Sequence, residues 1–234
     1  MIFLFLLSFV YAINIPTNLT EKDRDEVLKV LGVGTSSKYN SVPRSLGGFS
    51  GLEIALSIES LPADKLNDLG DGVDNSSSFD YAKISIGKGL FHFIDMYAHF
   101  IPFDKQTGLS EYGAMARWRM FEIDSGRFSV ASLIHFNSSN IEDLFISDSY
   151  GGQIHLVWHI LDFDVYGGIG LTRVKGRFSG GNNAITDTGL EIQQKINEEL
   201  YILGASYIYK RVFIAVEANK ADYLSLAAKL GLRF

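Results

Sequence analysis

Tyr223-Leu224-Ser225-Leu226-Ala227-Ala228-Lys229-Leu230-Gly231-Leu232-Arg233-Phe234 is the stretch whose reading decides the fold. In an extended chain, successive side chains point to opposite faces. Leu224, Leu226, Ala228, Leu230, Leu232 and Phe234 then share one face, and Tyr223, Ser225, Ala227, Lys229, Gly231 and Arg233 share the other. The first face is apolar throughout, and the second is polar or small. A strand with lipid on one side and a barrel lumen on the other has this pattern.

Upstream, the same alternation recurs in eight further stretches, and a ninth strand, about 197–209, is ambiguous because both of its faces carry apolar residues. It runs through Leu52, Ile54, Leu56 and Ile58, then through about 79–89, and then through Ile94, Met96, Ala98 and Phe100. The region 111–122 sets Tyr112, Ala114, Ala116, Trp118 and Met120 against Glu111, Gly113, Arg117 and Arg119. Phe128–Phe136, Ile154–Ile160, Val165–Leu171, about 197–209 and Val212–Ala218 complete the set. The expected fold is all-β: a single transmembrane, antiparallel, up-and-down β-barrel of about 10 strands over residues 49–234. Polar loops are expected at 61–78, 137–149 and 177–195, with tight turns between them. Aromatic residues near the strand ends fit two interfacial girdles. A water-soluble barrel would reverse the pattern, with its apolar faces turned inward.

Composition agrees. The chain has 234 residues, 47% of them apolar, yet no apolar run approaches a membrane helix in length. Only every second residue of a barrel strand must face lipid. The absence of Cys removes thiol and thiolate-metal chemistry, and the net charge of -6 excludes the basic face that a nucleic-acid partner requires.

Residues 1–12 carry an apolar core, Ile2–Val10, followed by Val10-Tyr11-Ala12. This reads as a signal peptide cut after Ala12. Residues 13–48 form a periplasmic segment. Thr20 begins a capping-box-like start, Val27, Leu28, Val30 and Leu31 make an apolar stripe, and Gly32 stops it, so a helix is expected over 20–31. So short a helix is marginal alone and should dock at the periplasmic mouth. Residues 32–48 read as linker.

The leader, the alternating strands, the loop asymmetry and the ending Lys229-Leu230-Gly231-Leu232-Arg233-Phe234 resemble Gram-negative outer-membrane β-barrel proteins. The resemblance implies residence in the cell outer membrane after export through the periplasm. It also implies contact with outer-membrane lipid and lipopolysaccharide, and handling by the barrel-assembly machinery. Gly231, Leu232 and Phe234 would be the assembly signal.

Function would show on the inward faces. Glu53, Lys83, Asp95, Arg117, Arg119, His155, His159, Lys229 and Arg233 point there and form either a self-satisfied ion network or a selective constriction. Glu53 should pair with Arg233 (and neighbour Lys229) across the closing seam, and Asp95 with Arg117 or Arg119. His155 and His159 lie about 13 Å apart in a strand, too far to share a metal. His135 with Asn137 and Ser138 has the residue types of a lipid hydrolase, but residues so close on a strand rarely converge. An omptin-like protease would carry acidic pairs and an Asp-His pair at the extracellular rim, whereas no paired Asp-Asp is found and His135 is the one His near that rim. Asp68, Asp71 and Asp74 with Asn75 do not match a calcium loop. The expectation is a monomeric, non-enzymatic barrel without cofactor or metal, structural or a narrow channel for ions and small solutes. The alternative is a surface adhesion or recognition protein that uses its loops.

Overall fold

The computed structural model describes residues 13–91, 93–101, 108–124 and 126–234; the expected signal peptide, 1–12, lies outside them. Ten antiparallel strands form one closed barrel in sequence order: β1 (Leu52–Leu61), β2 (Phe79–Phe91), β3 (Ile94–Phe100), β4 (Leu109–Ile123), β5 (Phe128–Ile141), β6 (Phe145–Ile160), β7 (Phe163–Phe178), β8 (Ile192–Tyr209), β9 (Val212–Lys220) and β10 (Leu224–Arg233). The seam joins β1 to β10, with Glu53 opposite Arg233 and Ser60 opposite Leu226. Leu52 and Phe234 exchange backbone hydrogen bonds of 3.1 and 2.9 Å at its end.

The direction of the apolar faces settles which solvent the wall meets. Trp118 is 50% exposed, Trp158 47% and Leu226 50%, all on the outside. Ile134, Ile169, Leu171 and Leu203 are more exposed still. An outward apolar wall around a polar interior is the pattern of a membrane barrel and the reverse of a soluble one. No described helix is long and apolar enough to cross a membrane, which bears only on helices.

One end of the barrel carries the tight turns after β2, β4, β6 and β8, together with both seam ends. The other carries the connections after β1, β3, β5, β7 and β9. Two expected loops are shorter than the sequence suggests. β5 reaches Ile141 and β6 begins at Phe145, so 137–149 is mostly paired strand. β8 begins at Ile192, leaving 179–191 as the loop. Ser138, Asn140 and Asp148 read as loop because they are polar. They sit instead in a wall that rises beyond the apolar band, where outward positions need no lipid-compatible side chain. Strands β5–β8 run 14, 16, 16 and 18 residues, against 9 and 10 for β9 and β10. A strand of about 9–11 residues already spans a membrane.

The main departure from expectation is residues 13–48. They neither cap the tight-turn mouth nor form a linker; they thread the lumen from the long-loop end to the tight-turn end. At the long-loop end, Leu19 bridges Thr186, and the Thr17 and Asn18 side chains donate to Asp71 at 2.9 and 3.2 Å. Helix α1 (Glu21–Val27) follows, capped reciprocally by Thr20 and Asp23. It continues into a π-helical turn, Leu28–Val33. Leu28, Val30, Leu31 and Val33 are buried with Phe145, Val174 and Phe178 of the tall wall. The chain then descends without regular structure through 35–46. It reverses at Gly47 and Gly48, both at positive φ, to enter β1. A ten-stranded barrel is slightly wider than one that side chains alone can fill, and this strand of chain takes up the difference.

Candidate functional site: the threaded lumen

Five inward carboxylates face the descending segment, and each accepts a hydrogen bond from it. Glu59 takes Lys38 Nζ at 2.8 Å. Glu217 takes the Asn40 backbone N–H at 2.6 Å. Glu53 takes Ser41 Oγ at 2.8 Å. Asp164 takes Arg44 Nε at 3.0 Å on both oxygens. Asp95 takes the Leu46 backbone N–H at 3.1 Å. The same carboxylates are held from the wall as well. Arg233 donates to Glu53 at 2.8 Å, Arg117 to Asp95 at 2.8 Å, and Tyr81 and Tyr166 to Glu59 and Glu217 at 2.9 and 2.6 Å. Lys83 bridges Glu59 and Glu111 at 3.0 and 2.5 Å. A buried charge is tolerated only when paired and hydrogen-bonded, and here the pairing takes wall and segment together.

Tyr39 stands at the centre. Its ring meets Tyr97, His155 and Tyr166 edge-on, with centroids 5.9, 5.9 and 5.8 Å away. Its hydroxyl accepts from Arg117 at 2.5 Å and donates to Val42 O at 2.7 Å. One side chain thus touches β3, β4, β6 and β7. Higher up, Asn137 donates to Thr35 O at 3.0 Å, and Thr35 Oγ1 lies 3.3 Å from Ser139 Oγ. Two cavities beside the segment, one bounded by Lys38, Tyr39, Lys83 and Lys229 and one by Lys29, Val33 and Leu200, hold about 10 Å³ each, room for a single water. At the tight-turn mouth an open vestibule of about 440 Å³ is bordered by Arg44, Phe93, Arg119 and His159.

Of the residues singled out from sequence, Glu53, Lys83, Asp95, Arg117 and Arg233 meet in this network. His155 faces the lumen beside them, and two others, Arg119 and Lys229, do not sit as expected. Arg119 lies at the rim, bonded to Glu122 of its own strand and stacked on Phe93. In the unbroken β3–β4 ladder Asp95 lies opposite Arg117, which leaves Arg119 two residues further toward the rim. Lys229 is buried opposite Ser57, not beside Glu53. His155 bonds Gln153 at 2.9 Å and stacks on Tyr166. Gly231 faces inward, where an added Cβ would press on the Phe213 ring, while Leu232 and Phe234 face lipid.

His135 is buried and Ser138 lies on the opposite face, so those residues do not converge. The first outer loop engages the chain's own N-terminal segment, Asp71 through Thr17 and Asn18, and Asn75 through Asn14 at 2.8 Å. Among the described residues no group of three or more His, Asp or Glu is placed to hold a metal.

Sequence reasoning missed a relay at the tight-turn end. Ser129 Oγ lies 2.9 Å from His159 Nε2, and His159 Nδ1 lies 2.7 Å from Asp164 Oδ1. The signal was the register of three neighbouring strands, which puts Asp164 opposite His159 and Ser129 opposite Val157. The order matches a hydrolase triad. However, Ser129 is 0% exposed and Asp164 is already neutralised by Arg44, which removes both access to the nucleophile and the free carboxylate. The relay anchors the segment where it leaves the lumen.

No protein-family model matches this chain, and no curated protein matches it. Solved structures that resemble it include the outer membrane protease OmpT from Escherichia coli, 10% identical, covering 79% of this chain and 95% of that one with a TM-score of 0.42. The N-terminal β-barrel domain of Pseudomonas aeruginosa OprF is 9% identical over 80% and 99%, with a TM-score of 0.35. The attachment invasion locus protein Ail of Yersinia pestis is 14% identical over 79% and 98%, with a TM-score of 0.33. At these identities and scores no property transfers from them. The chain's own outward apolar wall, even strand number and closed ladder make it a transmembrane β-barrel.

Proposed function

We propose that this protein is a non-enzymatic, structural outer-membrane barrel whose lumen is closed by its own N-terminal segment. The observation that carries this is the set of five inward carboxylates, each accepting from residues 38–46. A constriction that selects solutes needs charges left free to meet them. Here those charges are spent on the segment. The tall β5–β8 wall favours the second reading, a surface that recognises a partner outside the membrane, because rigid sheet raised above the lipid presents residues as a loop scaffold does.

The test uses the absence of Cys. The double variant Thr35→Cys, Ser139→Cys should form a disulfide in the folded, full-length protein, because the native hydroxyl oxygens are 3.3 Å apart. In planar bilayers the full chain should show no resolvable conductance, with the cross-link oxidised or reduced. Steady ion conductance by the unmodified protein, or failure of the cysteines to pair, would overturn the closed-lumen reading.

A further inference from the structure

The tall wall of β5–β8 ends in an open edge. β9 stops at Lys220, opposite Tyr201, because the chain turns back through 221–223 into β10. Beyond that point, toward the long-loop end, residues 192–200 of β8 are paired with β7 alone. The phase of the ladder fixes which backbone groups are left over. Ile208 N–H donates to Asp162 O at 3.0 Å, and bonding residues alternate along an antiparallel pair. Even-numbered residues of β8 therefore bond to β7, and odd-numbered ones point to the β9 side. Gln193, Lys195, Asn197 and Glu199 are exposed and turn their N–H and C=O groups to that side, where no described backbone group bonds them.

Such an edge is a template for pairing with another chain. Neither a proline nor a bulge interrupts it. Its surroundings set the charge of what fits. The even-numbered side chains face α1, where Gln194 Nε2 donates to Asp25 at 2.5 Å and to Glu21 O at 2.9 Å. Of the cations on that side, Arg24 is taken by Asp187, and Lys29 by Glu26 and Asp222. Asp25 and Glu198 have no ion pair among the described residues. Burial, reinforced by Asp222, Glu26 and Asp25, holds the Glu198 carboxyl above its ordinary value against the pull of Lys29. A strand laid on this edge points every second side chain at these carboxylates.

We propose that the β8 edge from Gln193 to Glu199 binds an extended polypeptide segment by strand addition, with Lys or Arg at the positions that face α1. The backbone ladder supplies the binding, and Glu198 and Asp25 select the charge by charge-assisted hydrogen bonds. The site, which rests on the second reading above, gives the partner outside the membrane a stated chemistry. It is independent of whether the lumen conducts.

The experiment is hydrogen exchange, read amide by amide, on the full-length protein in detergent with a short synthetic peptide of alternating Lys and Thr. Without peptide, the Lys195 and Asn197 amides should exchange faster than those of Gln194 and Ile196, which bond to β7. With peptide they should slow by about tenfold or more, and the even-numbered amides should not change. The same peptide N-methylated at each Thr keeps its charge but loses the donors that face β8. It should bind about tenfold more weakly, as should a peptide of alternating Glu and Thr. Asn197→Pro removes a donor that faces the open side and should weaken binding to a similar extent. Glu198→Gln should weaken it too, whereas Glu142→Gln, the same charge change at the β5–β6 turn, should leave it unchanged. Folding of each variant is checked by heat-modifiable gel migration, and the N-methylated peptide gives the same reading on unmodified protein should Asn197→Pro not fold. Equal affinity for the N-methylated peptide would overturn strand addition while leaving surface recognition standing. Slow exchange of Lys195 and Asn197 without peptide, equal loss in Glu142→Gln, or no binding of the Lys peptide would each overturn the site.

Discussion

The two halves of the threaded segment are held by different physics. The upper half, Glu21–Val33, is helical and buries Val27, Leu28, Val30 and Leu31 against the tall wall. The lower half, 35–46, has no regular structure, and from Lys38 to Leu46 it donates to five inward carboxylates. Apolar packing tolerates small changes of shape; a buried ionic network does not tolerate loss of one member. The lower half should therefore be the brittle one.

The largest effect is expected there. Arg117→Ala removes the 2.8 Å partner of Asp95 and the donor to Tyr39, and leaves a buried carboxylate unpaired. Breaking a buried pair in this way costs about 3–5 kcal/mol. Urea unfolding in liposomes should show a loss of that size, together with the appearance of conductance as Tyr39 loses its anchor. A loss within about 0.5 kcal/mol, as for a surface substitution, would mean that the network does not hold the segment.

A smaller effect is expected in the upper half. Gly176 on β7 faces Leu28, and an added Cβ would press on Leu28 and on the Phe145 ring. Gly176→Val overpacks this contact, which costs about 1–3 kcal/mol. The helix should lift while the lower half stays seated. Protease cleavage within α1 should then rise while the barrel resists, whereas cleavage unchanged from wild type would place the helix elsewhere.

The contrast between the halves also explains what the sequence shows and what it conceals. Period two is visible wherever one face meets lipid, so β10 and its seam with β1 are legible from Leu224 to Phe234, and the register places Glu53 opposite Arg233 as that alternation implies. Above the lipid the outward positions turn polar, and Ser138, Asn140 and Asp148 look like loop although they are paired strand. The segment 32–48 is concealed for a related reason. It lies in a polar lumen, so it needs no apolar stripe, and Thr35, Lys38, Asn40, Ser41 and Arg44 have the composition of a solvated linker. Their meaning depends on carboxylates as far as 177 positions away, such as Glu217 for Asn40. The Ser129–His159–Asp164 relay was hidden likewise, because it spans three strands and appears only once they are in register.

The smallest expected effect sharpens how the helix is tied to the short side of the barrel. Glu26 of α1 accepts from the Tyr223 hydroxyl at 2.6 Å, and Lys29 reaches Glu26 at 3.1 Å and Asp222 at 2.7 Å. These groups lie above the membrane-spanning strands. The hydrogen bond to Glu26, with some burial, pushes the Tyr223 phenol up to about 12, and the bond to Asp222 raises Lys29 above its ordinary value. Both are groups whose protonated form is favoured by folding. Their contribution is fully present below their unfolded values near pH 10 and is lost as pH rises through the folded ones. Helix docking should thus be flat with pH across the neutral range and weaken only above about pH 10. Phenolate absorbance of wild type minus Tyr223→Phe should place the Tyr223 titration near 12. A titration near 10, the value of a free phenol, would show that Tyr223 does not hold Glu26 and that the helix is secured by its apolar face alone.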